Sequence, residues 1–130
     1  MFAELIKKLI FPDARNKVRI KTSSSFVRAK WAEIEALLKT KNPSSLKQSV
    51  IIADKVLEQI IKQATNTTSL GEGLKLSKDL FSSYAIYDMA WKAHKVRNSM
   101  VHDASYDPPY YVVNEAIDQF RTVFKDLGLI

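Results

Sequence analysis

The sequence predicts an all-α bundle of four main helices plus short ones. Three observations carry this. Apolar residues recur at helical spacing over long stretches. The 130 residues include only three Gly and four Pro, too few turn formers for a sheet protein of this length. Capping and stop residues fall at the ends of the periodic stretches. At 130 residues one domain is expected, with about two-thirds of the unfolded chain's surface buried on folding. Apolar residues at 46% and charged residues at 26% suit a folded globular chain. There is no Cys, which excludes disulfides, thiolate metal sites and a cysteine nucleophile, and fits a cytoplasmic location.

Element by element, Phe2, Leu5, Ile6, Leu9 and Ile10 form one helical stripe with charges opposite, and Pro12 ends that helix near Phe11. The stripe is too short to span a membrane and is followed by no cleavage site. Residues 12–23 are basic and irregular. Val18 and Ile20 alternate there with Arg19 and Lys21, the pattern of extended chain. Residues 1–23 are therefore read as a basic amphipathic N-terminal segment and 24–130 as the helical domain. A helix follows from about Ser25 to Thr40, carrying Val27, Trp31, Ile34 and Leu38. Asn42-Pro43 starts the next, a cap followed by a first-turn proline. It runs to about Thr65 with Leu46, Val50, Ala53, Val56, Leu57, Ile60 and Ile61 inward. A short helix over Leu70–Asp79 is weakened by Gly71 and Gly73. A long helix covers Ser83–His102 and is expected at the centre of the bundle. After Asp107-Pro108-Pro109, a last helix covers Tyr111–Leu127 and stops at Gly128.

Net charge is +6, and residues 1–30 hold all the excess: eight basic side chains against Glu4 and Asp13. Such asymmetry points to an anionic partner, nucleic acid or a membrane surface, or to a solvated basic face. Lys17, Arg19 and Lys21 are the candidate nucleic-acid-binding residues. A membrane-surface contact through residues 1–21 is the alternative use.

The stretch Tyr84–Asp103 bears the chemistry. At 100° per residue, Ala85, Met89, Ala93, Val96 and Met100 share the expected core face. Asn98 falls about 180° from Met89 and His102 about 220°, with Tyr84, Tyr87 and Trp91 around them. Large apolar groups on both sides put the helix at the centre of the bundle or under a partner, and the face a second copy would cover holds Tyr84, Tyr87, Trp91, Asn98 and His102. Asn98 and His102 are four apart, so the amide is expected to orient the imidazole. Arg97 and His102 splay by about 140°, so two copies related by a two-fold axis are needed to converge on one cleft. His94 is expected to be an ordinary rim residue. Tyr106, Tyr110 and Tyr111 flank the motif within reach of a base.

Arg97-Asn98, a three-residue spacer and His102, at the end of a long helix and before one closing helix, resemble the signature of HEPN domains. The likeness spans the helical pattern of residues 24–127. It implies a homodimer joined through the motif helices and, in active members, metal-independent RNA cleavage without a cofactor, as in toxins of toxin–antitoxin pairs and antiviral defence effectors. Arg97, Asn98 and His102 are then the catalytic candidates. Other members bind only RNA or a partner protein, including an antitoxin or a nucleotidyltransferase, and both readings stand at this point. One departure is Asp103 where many members have glycine. Its carboxylate would either orient the imidazole or repel a phosphate. The chemistry is coherent: a His, with an ordinary pKa of about 6.5, can take the 2′-OH proton, and Arg matches phosphate oxygens with two N–H donors. The products are a 2′,3′-cyclic phosphate and a 5′-OH.

Overall fold

A computed structural model describes residues 18–130. The expected helix ending at Phe11, and Lys17, lie outside the described residues. Those described form five α-helices and one 3-10 turn, with no strand among them. They are α1 (Ser24–Lys39), α2 (Pro43–Thr65), α3 (Leu70–Leu76), the 3-10 turn Lys78–Leu80, α4 (Tyr84–His102) and α5 (Tyr110–Asp126).

Local chemistry sets each boundary. Ser23 caps α1 by accepting from the Phe26 N–H at 3.2 Å. Asn42 caps α2 by accepting from the Ser44 N–H at 3.0 Å, and Pro43 occupies the first helical position. Helix α2 ends where Asn66 turns left-handed, φ 55° and ψ 44°. Ser69 and Ser83 cap α3 and α4 through the Glu72 and Ile86 N–H groups. At the end of α5, Gly128 takes φ +74°, and the Leu129 N–H reaches the Phe124 carbonyl at 2.9 Å while the Gly128 N–H reaches that of Lys125 at 3.0 Å. This crossed pair satisfies the last carbonyls and tucks Leu129 into the core.

The central helix is α2, not the Ser83–His102 helix that periodicity favours. Helix α2 touches α1, α3, α4 and α5, and Val50, Leu57, Ile60 and Ile61 on it are fully buried. All seven residues expected to face inward from it do so. Helix α4 packs chiefly on α5 and only lightly on α2. Its buried residues are Ala90 and Ala93, while Ala85, assigned to the core face from periodicity, is exposed. Met89, Ala93, Val96 and Met100 keep the expected face toward the core, and polar His94 and Arg97 lie partly buried beside it.

Phe120 and Phe124 of α5 are fully buried and stacked with centroids 6.2 Å apart. Trp31 of α1 meets Phe124 edge-on at 5.7 Å, and Arg121 covers the Trp31 ring at 5.4 Å. Each such ring contributes roughly 3–5 kcal/mol by the cost of truncation to Ala. The bundle begins before Ser24. Ile20 packs on the core, and the buried Thr22 hydroxyl donates to Gln63 Oε1 at 2.7 Å.

Candidate functional site

The site starts from one residue of α2. Val50, Asp54, Leu57 and Ile61 lie on one stripe at helical spacing, so Asp54 occupies a position where the pattern calls for a hydrophobe. It is 1% exposed. A carboxylate so buried requires partners, and α4 brings them. His94 Nδ1 lies 3.0 Å from Asp54 Oδ1 and 3.2 Å from Oδ2. Arg97 Nε lies 3.5 Å from Asp54 Oδ2. Burial pushes the Asp54 carboxyl above the ordinary carboxylate range, and Glu58 adds to the push. The hydrogen bond from His94, its charge when protonated and the Arg97 guanidinium pull it back.

The network continues outward. Arg97 Nη1 donates to Asn98 Oδ1 at 3.2 Å, and Asn98 Nδ2 lies 3.2 Å from His94 Nε2. The Trp91 ring borders His94, with centroids 6.4 Å apart. The Arg97 Nε–H is buried and makes no hydrogen bond of proper geometry. Its Nη2 makes none either among the described residues, and the side chain is 27% exposed. Arg97 thus turns Nε toward Asp54 and Nη1 toward Asn98, while Nη2 is left without a partner among the described residues.

The arrangement differs from the expected one at two residues. Asn98 is bonded to His94, the residue assigned to the rim, and not to His102. His94 is half-buried with both ring nitrogens engaged. His102 is exposed on the last turn of α4 and joins no hydrogen bond or ion pair among the described residues. It lies five positions after Arg97, a rise of about 7.5 Å along the helix.

Asp103 does not turn toward the imidazole by any hydrogen bond. Its Oδ1 accepts from the Ser105 N–H at 3.0 Å and the Ser105 hydroxyl at 2.7 Å, and these bonds hold its carboxyl below the ordinary range. Of the aromatics on the expected dimer face, Tyr87 is internal to the chain: its hydroxyl donates to the Leu74 carbonyl at 2.9 Å. Trp91 is half-buried. Tyr84 is 66% exposed, and Tyr110 and Tyr111 are exposed beside the motif. Arg19 and Lys21 are exposed on the segment before α1, alternating with half-buried Val18 and Ile20.

Asp54 and His94 escaped the sequence reading, although Asp54 carried a signal. An acid in the middle of an apolar stripe on a long helix must be paired, and a His–Arg pair at i, i+3 on another helix is a fitting partner. Compared with protein-family models, with curated proteins and with solved structures, the chain matches none of them. Among the described residues, no helix is long and apolar enough to cross a membrane.

Proposed function

We propose that this chain is a HEPN-like endoribonuclease that works as a homodimer and needs no metal. The observation that carries the reading is the pairing of an arginine anchored from behind with an exposed imidazole that makes no hydrogen bond among the described residues. Asp54 attracts Nε and Asn98 accepts from Nη1, which leaves Nη2 for a phosphate oxygen. His102 stands exposed on the same end of α4. In the reaction, His102 takes the proton of an RNA 2′-OH. The 2′-oxygen bonds to phosphorus and the bond from phosphorus to the 5′-oxygen breaks. The imidazole of the second copy protonates that leaving oxygen, and Arg97 stabilises the charge on phosphorus. Arg19 and Lys21 are suited to the RNA backbone away from the cut.

A second reading has its own support. Arg97 lies 3.5 Å from a buried carboxylate, as a purely structural arginine would, and this favours a non-catalytic module that binds RNA or a partner protein. One experiment separates the two. Mixed RNA is incubated with the wild type and with His102→Ala in EDTA, and the ends are analysed. Cleavage leaving cyclic phosphates, lost in His102→Ala, supports the enzyme. Because the His102 ring is exposed, its loss should not disturb folding. Binding without cleavage supports the module.

A further inference from the structure

We infer that Asp54 and His94 are positioning residues that set the Arg97 guanidinium through Asn98, with His94 locked as the neutral Nδ1–H tautomer. Donor and acceptor rules alone lead there. A guanidinium only donates, so the Asn98 atom facing Arg97 Nη1 is the amide oxygen. The other Asn98 atom is then the NH2, which also only donates, and it faces His94 Nε2 at 3.2 Å. Nε2 must therefore carry no proton. The ring proton sits on Nδ1, which faces the Asp54 carboxylate at 3.0 Å, an acceptor. Each assignment forces the next, and Arg97 Nε ends 3.5 Å from Asp54 Oδ2, a charge attraction and not a hydrogen bond.

The relay has a mechanical consequence. Arg97 is held at Nη1 by Asn98 and attracted at Nε by Asp54, so two points restrict the plane of the guanidinium. His94 is 13% exposed and Asp54 1%, so both act from within the bundle. Hydrogen bonds in so buried a relay support one another, and losing one member leaves the others unpaired. This rests on the ribonuclease reading for its kinetic consequence. The tautomer and the fixed guanidinium do not.

Two variants of His94 separate positioning from packing. Gln carries one amide donor and one acceptor and can bridge Asp54 and Asn98 as the ring does. Leu fills similar space and can do neither. Nitrogen-detected NMR of the full chain near neutral pH reads the tautomer and the Arg97 η N–H signals. The expected result is Nδ1–H for His94, with resolved η signals that persist in His94→Gln and average in His94→Leu. In the RNA cleavage assay, His94→Leu should lower kcat by roughly tenfold to a hundredfold with KM little changed, and His94→Gln should restore most of it. A packing role would instead favour Leu. An Nε2–H tautomer or an imidazolium overturns the inference, as do Arg97 signals indifferent to His94→Leu. A wild type that cuts no RNA overturns the ribonuclease reading, and the NMR result then decides the relay by itself. A wild type that cuts RNA with kcat unchanged in His94→Leu overturns the positioning role alone.

Discussion

Removing Asp54 tests the energetic core of the site. In Asp54→Ala the Nε–H of Arg97 and the Nδ1–H of His94 lose the carboxylate that both face. Taking one partner from a buried ion pair typically costs about 3–5 kcal/mol. The Arg97 side chain is 27% exposed and can swing part of its charge to water, which places the cost at the low end, about 3 kcal/mol. Unfolding entropies near 2.1 cal/mol/K per residue make that a loss of roughly 10 °C in Tm for a chain of this length. Replacing both charged partners, as in Asp54→Leu/Arg97→Met, should recover the part of the loss that comes from the unpaired guanidinium, while the His94 Nδ1–H still lacks its acceptor. The pH dependence has a definite sign. Asp54 titrates higher in the folded chain than in the unfolded one, so its ionisation opposes folding. That cost is absent below about pH 4, the ordinary Asp range, and grows as pH rises toward the raised folded value. The double variant should therefore gain on the wild type as pH rises through this window. Thermal and urea unfolding followed by far-UV circular dichroism measures all three chains. A loss below about 0.5 kcal/mol in Asp54→Ala, the range of an exposed substitution, or a double variant no more stable than the single one would show that Asp54 does not hold Arg97 and His94 inward.

Two further outcomes follow from other parts of the molecule. In α3, a Cβ at Gly73 would lie 2.5 Å from Ile61 Cγ2 and 2.9 Å from Thr67 Oγ1, whereas one at Gly71 would meet nothing within 4 Å. Gly73→Ala should destabilise by about 1–3 kcal/mol and Gly71→Ala should stabilise by up to about 0.5–1 kcal/mol, as read by urea midpoints. If dimerisation uses α4, Tyr84→Glu should lower the mass seen by light scattering at micromolar concentration without changing the helical spectrum. Tyr84 is 66% exposed and tolerates the change in the monomer, which half-buried Trp91 would not.

The helices were legible because their ends are marked by local chemistry. Asn42-Pro43 and Gly128 need no tertiary context to act as a start and a stop, and both act so here. The apolar stripe of α2 was legible because it is wide and continuous. Helix α4 was harder, for a physical reason. Periodicity assigns polar residues to the outside, and that assumption fails when a buried acid on another helix supplies their partner. Asp54 does so, drawing His94 and Arg97 inward beside a core face that otherwise runs as periodicity expects, through Met89, Ala93, Val96 and Met100, with only Ala85 in the first turn left exposed. Tyr87 was misplaced for the same kind of reason. Its hydroxyl finds the Leu74 carbonyl, a partner thirteen residues away that no helical wheel contains.

Arg97 remains the residue on which the two functional readings divide, and Arg97→Lys divides them. A guanidinium can serve two directions at once, Nε toward Asp54 and Nη2 toward a phosphate. An ammonium is a single point charge on a flexible stem and serves one. In Arg97→Lys the buried carboxylate at Asp54 is the stronger attraction, because it lies away from water. The ammonium of that variant should therefore turn inward, keep the charge balance and retain most of the stability that Arg97→Ala loses. It should present nothing to a phosphate. If Arg97 is catalytic, Arg97→Lys is a stable chain with little cleavage, and its kcat falls more than its affinity for RNA, since the lost contact belongs to the transition state. If Arg97 is structural alone, Arg97→Lys binds RNA or its protein partner as the wild type does. A variant as stable and as active as the wild type would remove Arg97 from the chemistry, and one that unfolds would show that two-directional bonding, rather than charge, holds α4 to α2.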